Sequence, residues 1–284
     1  MLTNGSRGAT FGVVDVTATD VDQGPVAWRE AGEGEVVLLL HGLGGSRTAW
    51  RPQLEGLSAN RRVVAWDLPG YGASAPLGGP LTFPALADAV ARLLDALGAD
   101  RAHVVGLSMG GMIAQHAALH HADRVRSLAL LSTSPAFGLD GTRPEDWRAA
   151  RLAPLDAGRQ PGDDAVGVVT AIAGPDIPAA AVAEQAAAME RITGPALRRA
   201  IDCLVTHDLR GQLGQIATPA LVMTGELDRE TPPAYGQALA DALAAATFRV
   251  VPGVGHLLPA EAPDVVNAAL VDHFGRVEQD GGHG

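Results

Sequence analysis

Ala102-His103-Val104-Val105-Gly106-Leu107-Ser108-Met109-Gly110-Gly111-Met112-Ile113-Ala114-Gln115 reads as a short buried strand, a tight turn and a helix, and its reading decides the fold. Gly106 to Gly110 spell the pattern G-x-S-x-G. A serine set between strand and helix in this way has a strained backbone, and the glycines two residues to either side remove Cβ atoms that would collide with neighbouring elements. The turn projects Oγ into a cleft at the carboxyl end of the sheet, where open α/β folds bind ligands. The helix that starts behind it offers free N–H groups and positive potential to a developing oxyanion.

Strands and helices alternate on both sides of this segment. Val36-Val37-Leu38-Leu39-Leu40 is apolar without interruption, which suits a strand covered on both faces, and 62–67 and 125–131 read the same way. Residues 26–31 read as an edge strand and 50–57 as a short helix. Leu86, Val90, Leu93, Leu94 and Leu97 recur at helical spacing over 82–97, and Gly98 is placed to end that helix. From 134 to 214 the rhythm breaks: strand-like runs vanish, Pro and Gly recur, and helical stretches such as 179–192 and 196–205 dominate. The pattern resumes with strands at 219–224 and 247–251, a helix near 234–243 and a closing helix over 263–274. The expected architecture is an α/β fold, a mostly parallel twisted sheet with helices on both faces and an inserted helical cap. Its divisions are 1–133 for the first part of the core, 134–214 for the cap, 215–276 for the second part of the core and 277–284 for a flexible tail.

Composition narrows the function. The net charge of −11 gives a field that repels a phosphate backbone, with no basic run to overcome it, so nucleic acid is not an expected partner. All 21 basic residues are arginine, which excludes lysine Schiff bases and a Walker-type phosphate loop. Cys203 is the single cysteine, so neither an intrachain disulfide nor a cysteine metal cluster can form, as suits a reducing compartment. Residues 1–10 lack a secretory apolar stretch, and the longest apolar run is far too short to span a bilayer. A cytoplasmic protein with no membrane partner is expected, of undefined oligomeric state.

A serine hydroxyl is a poor nucleophile until a base takes its proton, so a histidine is required, and on this plan it follows an acid in chain order. Of nine histidines, three follow the candidate acid. His256 lies in a Gly-rich loop just past a predicted strand and can be aimed across the cleft, whereas His273 lies in the closing helix and His283 in the tail. Asp228, in Gly225-Glu226-Leu227-Asp228 after the strand 219–224, is the assigned acid; Glu226 competes, and either could instead be a turn or cap carboxylate. His41-Gly42-Leu43-Gly44-Gly45-Ser46 follows a buried strand with its glycines close to the nucleophile. The oxyanion donors are therefore assigned to the backbone N–H groups of Leu43 and Met109, with His41 bracing the loop. Trp147 and Met189 in the cap are candidates for an apolar substrate pocket, against the reading of ordinary packing.

His41-Gly42-Leu43-Gly44, Asp67-Leu68-Pro69-Gly70-Tyr71-Gly72, Gly106-Leu107-Ser108-Met109-Gly110-Gly111, Gly225-Glu226-Leu227-Asp228 and Gly255-His256, in that order, resemble the α/β-hydrolase superfamily. The resemblance covers nearly the whole chain outside the cap. Within it, Gly106 to Gln115 and the stretch from Asp208-Leu209-Arg210 to Pro232-Pro233 look like the 3-oxoadipate enol-lactonase and related esterase branch, while the cap is less like those lactonases. The resemblance implies a small-molecule ester or lactone substrate, no metal and no cofactor, with Arg148 or Arg151 available to a substrate carboxylate or else on a solvated helix face. Hydrolytic carbon–carbon cleavage of a diketone ring-fission product is open to the same residues. A receptor that keeps the pocket without the chemistry is a further reading, although it has no need of a complete triad. Haloalkane dehalogenation would need a carboxylate where Ser108 stands.

Overall fold

Successive side chains of a strand point to opposite faces, so a strand that is apolar at every position must be covered twice. In Val36–Leu40, Leu38 and Leu40 join one core with Val64, Trp66, Val104 and Leu128. Val37 and Leu39 join a second with Val63, Ala65, Val105 and Ala129 on the other face. The computed structural model describes residues 17–24 and 26–281, so the sequence reading of 1–10 lies outside the described residues.

The chain runs β1 (Thr19–Val21), β2 (Trp28–Ala31), β3 (Val36–Leu40), α1 (Arg51–Leu57), β4 (Arg62–Trp66), α2 (Phe83–Ala96), β5 (Ala102–Leu107), α3 (Met109–His120) and β6 (Val125–Leu131). The segment between β6 and the next strand carries α4 (Pro144–Asp156), α5 (Ala165–Ile172), α6 (Ala179–Met189) and α7 (Gly194–Leu204). Then come β7 (Ala220–Gly225), α8 (Pro233–Ala242), β8 (Ala246–Val251), α9 (Leu258–Glu261) and α10 (Pro263–Gly281). The strands form one sheet in the order β1-β2-β4-β3-β5-β6-β7-β8, antiparallel from β1 to β4 and parallel from there to β8. The α/β architecture expected from the sequence is therefore the one present. Helices α2 and α3 bury their apolar sides in the first core, and α1 and α10 in the second.

The two ends of the inserted segment are tied side by side. Ala136 bridges Asp208, Phe137 N–H donates to His207 O at 2.8 Å and Leu209 N–H to Pro135 O at 2.9 Å. Within it the single cysteine, Cys203, is buried, and burial pushes its thiol up to about 12. At the amino end, β1 leaves no signal in the sequence, because two exposed residues and one half-buried one carry no apolar alternation. The tail expected over 277–284 does not begin at 277: α10 continues to Gly281, and Glu278 is held in place by Arg61, which it meets in an ion pair. Residues 282–284 lie outside the described residues. Among the described residues, no helix is long and apolar enough to cross a membrane.

Candidate active site

Ser108 joins β5 to α3 with φ 54° and ψ −119°, a backbone that costs a non-glycine residue on the order of 1–3 kcal/mol. The surroundings hold it there. Ser108 N–H donates to Leu131 O at 2.9 Å, and Thr133 Oγ1 donates to Ser108 O at 2.8 Å. The glycines act as their spacing implied: a Cβ at Gly106 would lie 2.3 Å from Gly110 O, and one at Gly110 would lie 2.0 Å from Leu40 O. Strand and helix can approach this closely only without those atoms.

Asp228 and His256, 28 residues apart in the chain, meet at the carboxyl end of β7. His256 Nδ1 lies 3.0 Å from both Asp228 Oδ1 and Oδ2. The carboxylate is further fixed by N–H groups of Glu230 at 3.0 Å and Thr231 at 2.9 Å on Oδ1, and by the Thr231 hydroxyl at 3.0 Å on Oδ2. Burial alone would raise the pKa of Asp228, but the imidazole and the Thr231 donors outweigh it and hold the carboxyl below its ordinary value. Burial would likewise lower that of His256, yet Asp228, then Glu230 and Glu261, outweigh it and raise it. Glu226, the competing acid, is exposed and accepts Gly253 N–H at 3.0 Å instead.

The Gly-rich loop after β3 is clamped at its carbonyls. Leu68 N–H donates to His41 Nε2 at 3.0 Å, which leaves Nδ1 protonated to donate to Gly42 O at 2.8 Å. Burial lowers the pKa of His41, so the imidazole is neutral and structural, as its position in the sequence suggested. Tyr71 stacks on it and donates its hydroxyl to Leu43 O at 2.8 Å. Fixing that carbonyl and the one before it fixes the direction of the Leu43 peptide. Leu43 N–H has no backbone acceptor among the described residues, and Met109 N–H, at the first position of α3, precedes the first acceptor its own helix supplies.

A cavity of about 350 Å³ lies between the inserted helices and the carboxyl ends of β3 and β5. Ser108, His256 and Leu43 line it, together with the two cap residues singled out from the sequence, Trp147 and Met189. A second cavity of about 90 Å³ also borders Ser108 and Trp147 and is lined by Asp140, Thr142 and Tyr235. Ser108 and His256 form no hydrogen bond with each other among the described residues; contacts of this kind shorten when a substrate seats. Arg148 is engaged by Asp202, and Arg151, which does line the cavity, is paired with Glu230 at 2.9 Å and lies over the Trp147 ring.

Three supporting residues were not singled out from the sequence: Thr133, Thr231 and Glu230. Asp228 accepting N–H groups two and three residues ahead is a local turn habit of aspartate, so the spacing Asp228-x-x-Thr231 was a usable signal. Nothing local pointed to Thr133, whose partner lies 25 residues away.

Residues 37–269 match the model of the alpha/beta hydrolase family. The candidate carbamate hydrolase RutD of Caulobacter sp. (strain K31) is 32% identical over 292 residues, covering 92% of this chain and 96% of the relative. The pimeloyl-[acyl-carrier protein] methyl ester esterase of Chromobacterium violaceum is 35% identical over 236 residues, 79% of this chain and 88% of its own. Among solved structures, the enol-lactonase from Burkholderia xenovorans LB400 superposes with a TM-score of 0.76 at 28% identity, over 88% of this chain and 96% of that one.

Proposed function

The chain belongs to the alpha/beta hydrolase family, and from that premise we propose that it cleaves a carboxylic ester or lactone through an acyl-enzyme on Ser108. The observation that carries the proposal is the buried His256–Asp228 pair, 3.0 Å at both carboxylate oxygens, with His256 and Ser108 on the wall of one cavity. His256 Nε2 takes the hydroxyl proton as Ser108 Oγ bonds to the carbonyl carbon, and the carbonyl π electrons move to its oxygen. The N–H groups of Leu43 and Met109 stabilise that oxyanion. Collapse expels the alkoxide, which leaves with the proton from His256. A water then gives its proton to His256, adds to the acyl carbon and releases the acid, restoring Ser108. Asp228 keeps Nδ1 protonated and stabilises the imidazolium without taking the proton. The scheme needs neither metal nor cofactor.

The cavities support a substrate with unequal halves, since both border the serine and their volumes are about 350 Å³ and 90 Å³. Aryl and alkyl esters, enol-lactones, aryl carbamates and ring-fission diketones, assayed with wild type and Ser108→Ala, separate the readings. Ester or lactone turnover lost in Ser108→Ala is the expected result. Preferential cleavage of the diketone would replace it with carbon–carbon hydrolysis, and binding of panel members without turnover of any would replace it with a receptor.

A further inference from the structure

The loop that carries His256 is tied to the inserted helices by its backbone. His256 N–H donates to Ile172 O, at the end of α5, at 2.9 Å. Two residues further on, Gly174 N–H donates to Glu261 Oε2 at 2.8 Å, and the same oxygen accepts Gly255 N–H at 2.8 Å. The other oxygen, Oε1, accepts Leu257 N–H at 2.8 Å. One carboxylate therefore holds the peptide N–H on each side of His256 and one from the cap.

Contact between the two segments is close. A Cβ on Gly255 would lie 2.3 Å from Gly174 N, and one on Gly174 would lie 2.8 Å from Glu261 Oε2 and 2.9 Å from Gly253 O. Hydrogen bonds from N–H groups to an ionised carboxylate are roughly twice as strong as neutral ones. Three on one side chain, at the root of a loop whose imidazole must keep its aim, make a rigid mount.

We propose that Glu261 is a positioning residue for His256, and that cap residues 172–174 are the fixed half of its mount. The proposal rests on His256 being the base of the reaction above. Glu261 does not touch the imidazole, which meets Asp228 and Thr231. Together with Asp228 and Glu230 it supplies the negative potential that keeps the buried imidazole protonatable.

Two readouts need no substrate: NMR titration of the His256 imidazole, assigned with H256Q, and hydrogen exchange of the amides of residues 255–257. In Glu261→Gln, His256 should titrate at lower pH than in wild type, and those amides should exchange faster. Ester turnover should fall by roughly ten- to a hundredfold, since misplacing a catalytic group by about 1 Å costs on the order of 10²-fold. KM should stay within about twofold, because the loss falls on the transition state. Gly174→Ala, which crowds the same carboxylate from the cap side, should move the titration and exchange in the same direction, and it carries the test should Glu261→Gln not fold. A folded variant whose His256 titration and amide exchange match wild type overturns the proposal. Absence of any Ser108-dependent turnover in wild type would instead sink the esterase reading, while the titration still decides the role of Glu261.

Discussion

Loss of one oxygen at position 108, in Ser108→Ala, leaves the imidazole and both amides in place and removes only the atom proposed to form the acyl bond. Single-turnover and steady-state assays should show kcat reduced on the order of 10⁶-fold with the fold intact. Asp228→Asn should cost about 10⁴-fold by misdirecting the tautomer, and Glu226 cannot relieve it, because its carboxylate is exposed and occupied at Gly253. Tyr71→Phe removes the hydroxyl that pins Leu43 O. It should lower kcat by roughly tenfold with KM little changed, if the Leu43 amide proposed for the oxyanion loses its aim. Because the pKa of His256 is raised and the base must be neutral, kcat/KM should fall as pH drops through a value above the ordinary 6.5. Ser108, His256 and Asp228, the residues proposed as nucleophile, base and acid, could be picked out because each follows a strand end in a Gly-rich turn. Tyr71, Thr133 and Glu261 were not assigned these roles because their partners are backbone atoms, which every residue has alike.

At the level of elements, the junction of β5 with α3 is where a methyl group does most harm. Gly110→Ala would drive a Cβ into Leu40 O at 2.0 Å, and because that atom is backbone, β3 and α3 must part. Thermal melts should show Gly110→Ala either failing to accumulate folded protein or melting many degrees below wild type, well beyond the few tenths of a kcal/mol of an exposed glycine replacement. The strands β3 to β6 were readable as mostly apolar runs, which burial on both faces requires, and α2 from the three-and-four spacing of its buried side. The extent of helix α4 was not readable, because Pro154 stands inside it near the end and reads as a break. The last turns of α10 escaped notice for a different reason: what holds Glu278 is Arg61, 217 residues earlier.

For the molecule as a whole, buried histidines set the response to acid. Burial lowers His103, His207 and His273 to about 4, and His116 to about 3. These four take up protons in the unfolded chain below about pH 6.5 but not in the fold until near those lower values. The unfolded state then binds more protons, and stability is lost as pH falls through that window. His256, with a raised pKa, has the opposite sign: its contribution is present below 6.5 and is lost as pH rises through its folded value. With His41, which burial also lowers, five groups against one predict a melting temperature that declines from about pH 6.5 to pH 4. His116→Leu should flatten that slope, since His116 Nδ1 has no hydrogen-bond partner among the described residues and its ring stacks on Phe83. The unequal cavities belong to this scale as well. In a series of esters lengthened on one side at a time, turnover should survive added carbons on one side and stop sharply on the other.

The buried thiol of Cys203, raised to about 12, is almost wholly protonated near neutral pH and so inert to alkylating agents. On the reading of Ser108 as the nucleophile, a fluorophosphonate warhead, which takes activated hydroxyls, should mark the wild-type chain once and leave Ser108→Ala unmarked. Intact-mass spectrometry of such an adduct would then count competent centres directly, one mark per working molecule, with no blocking step beforehand.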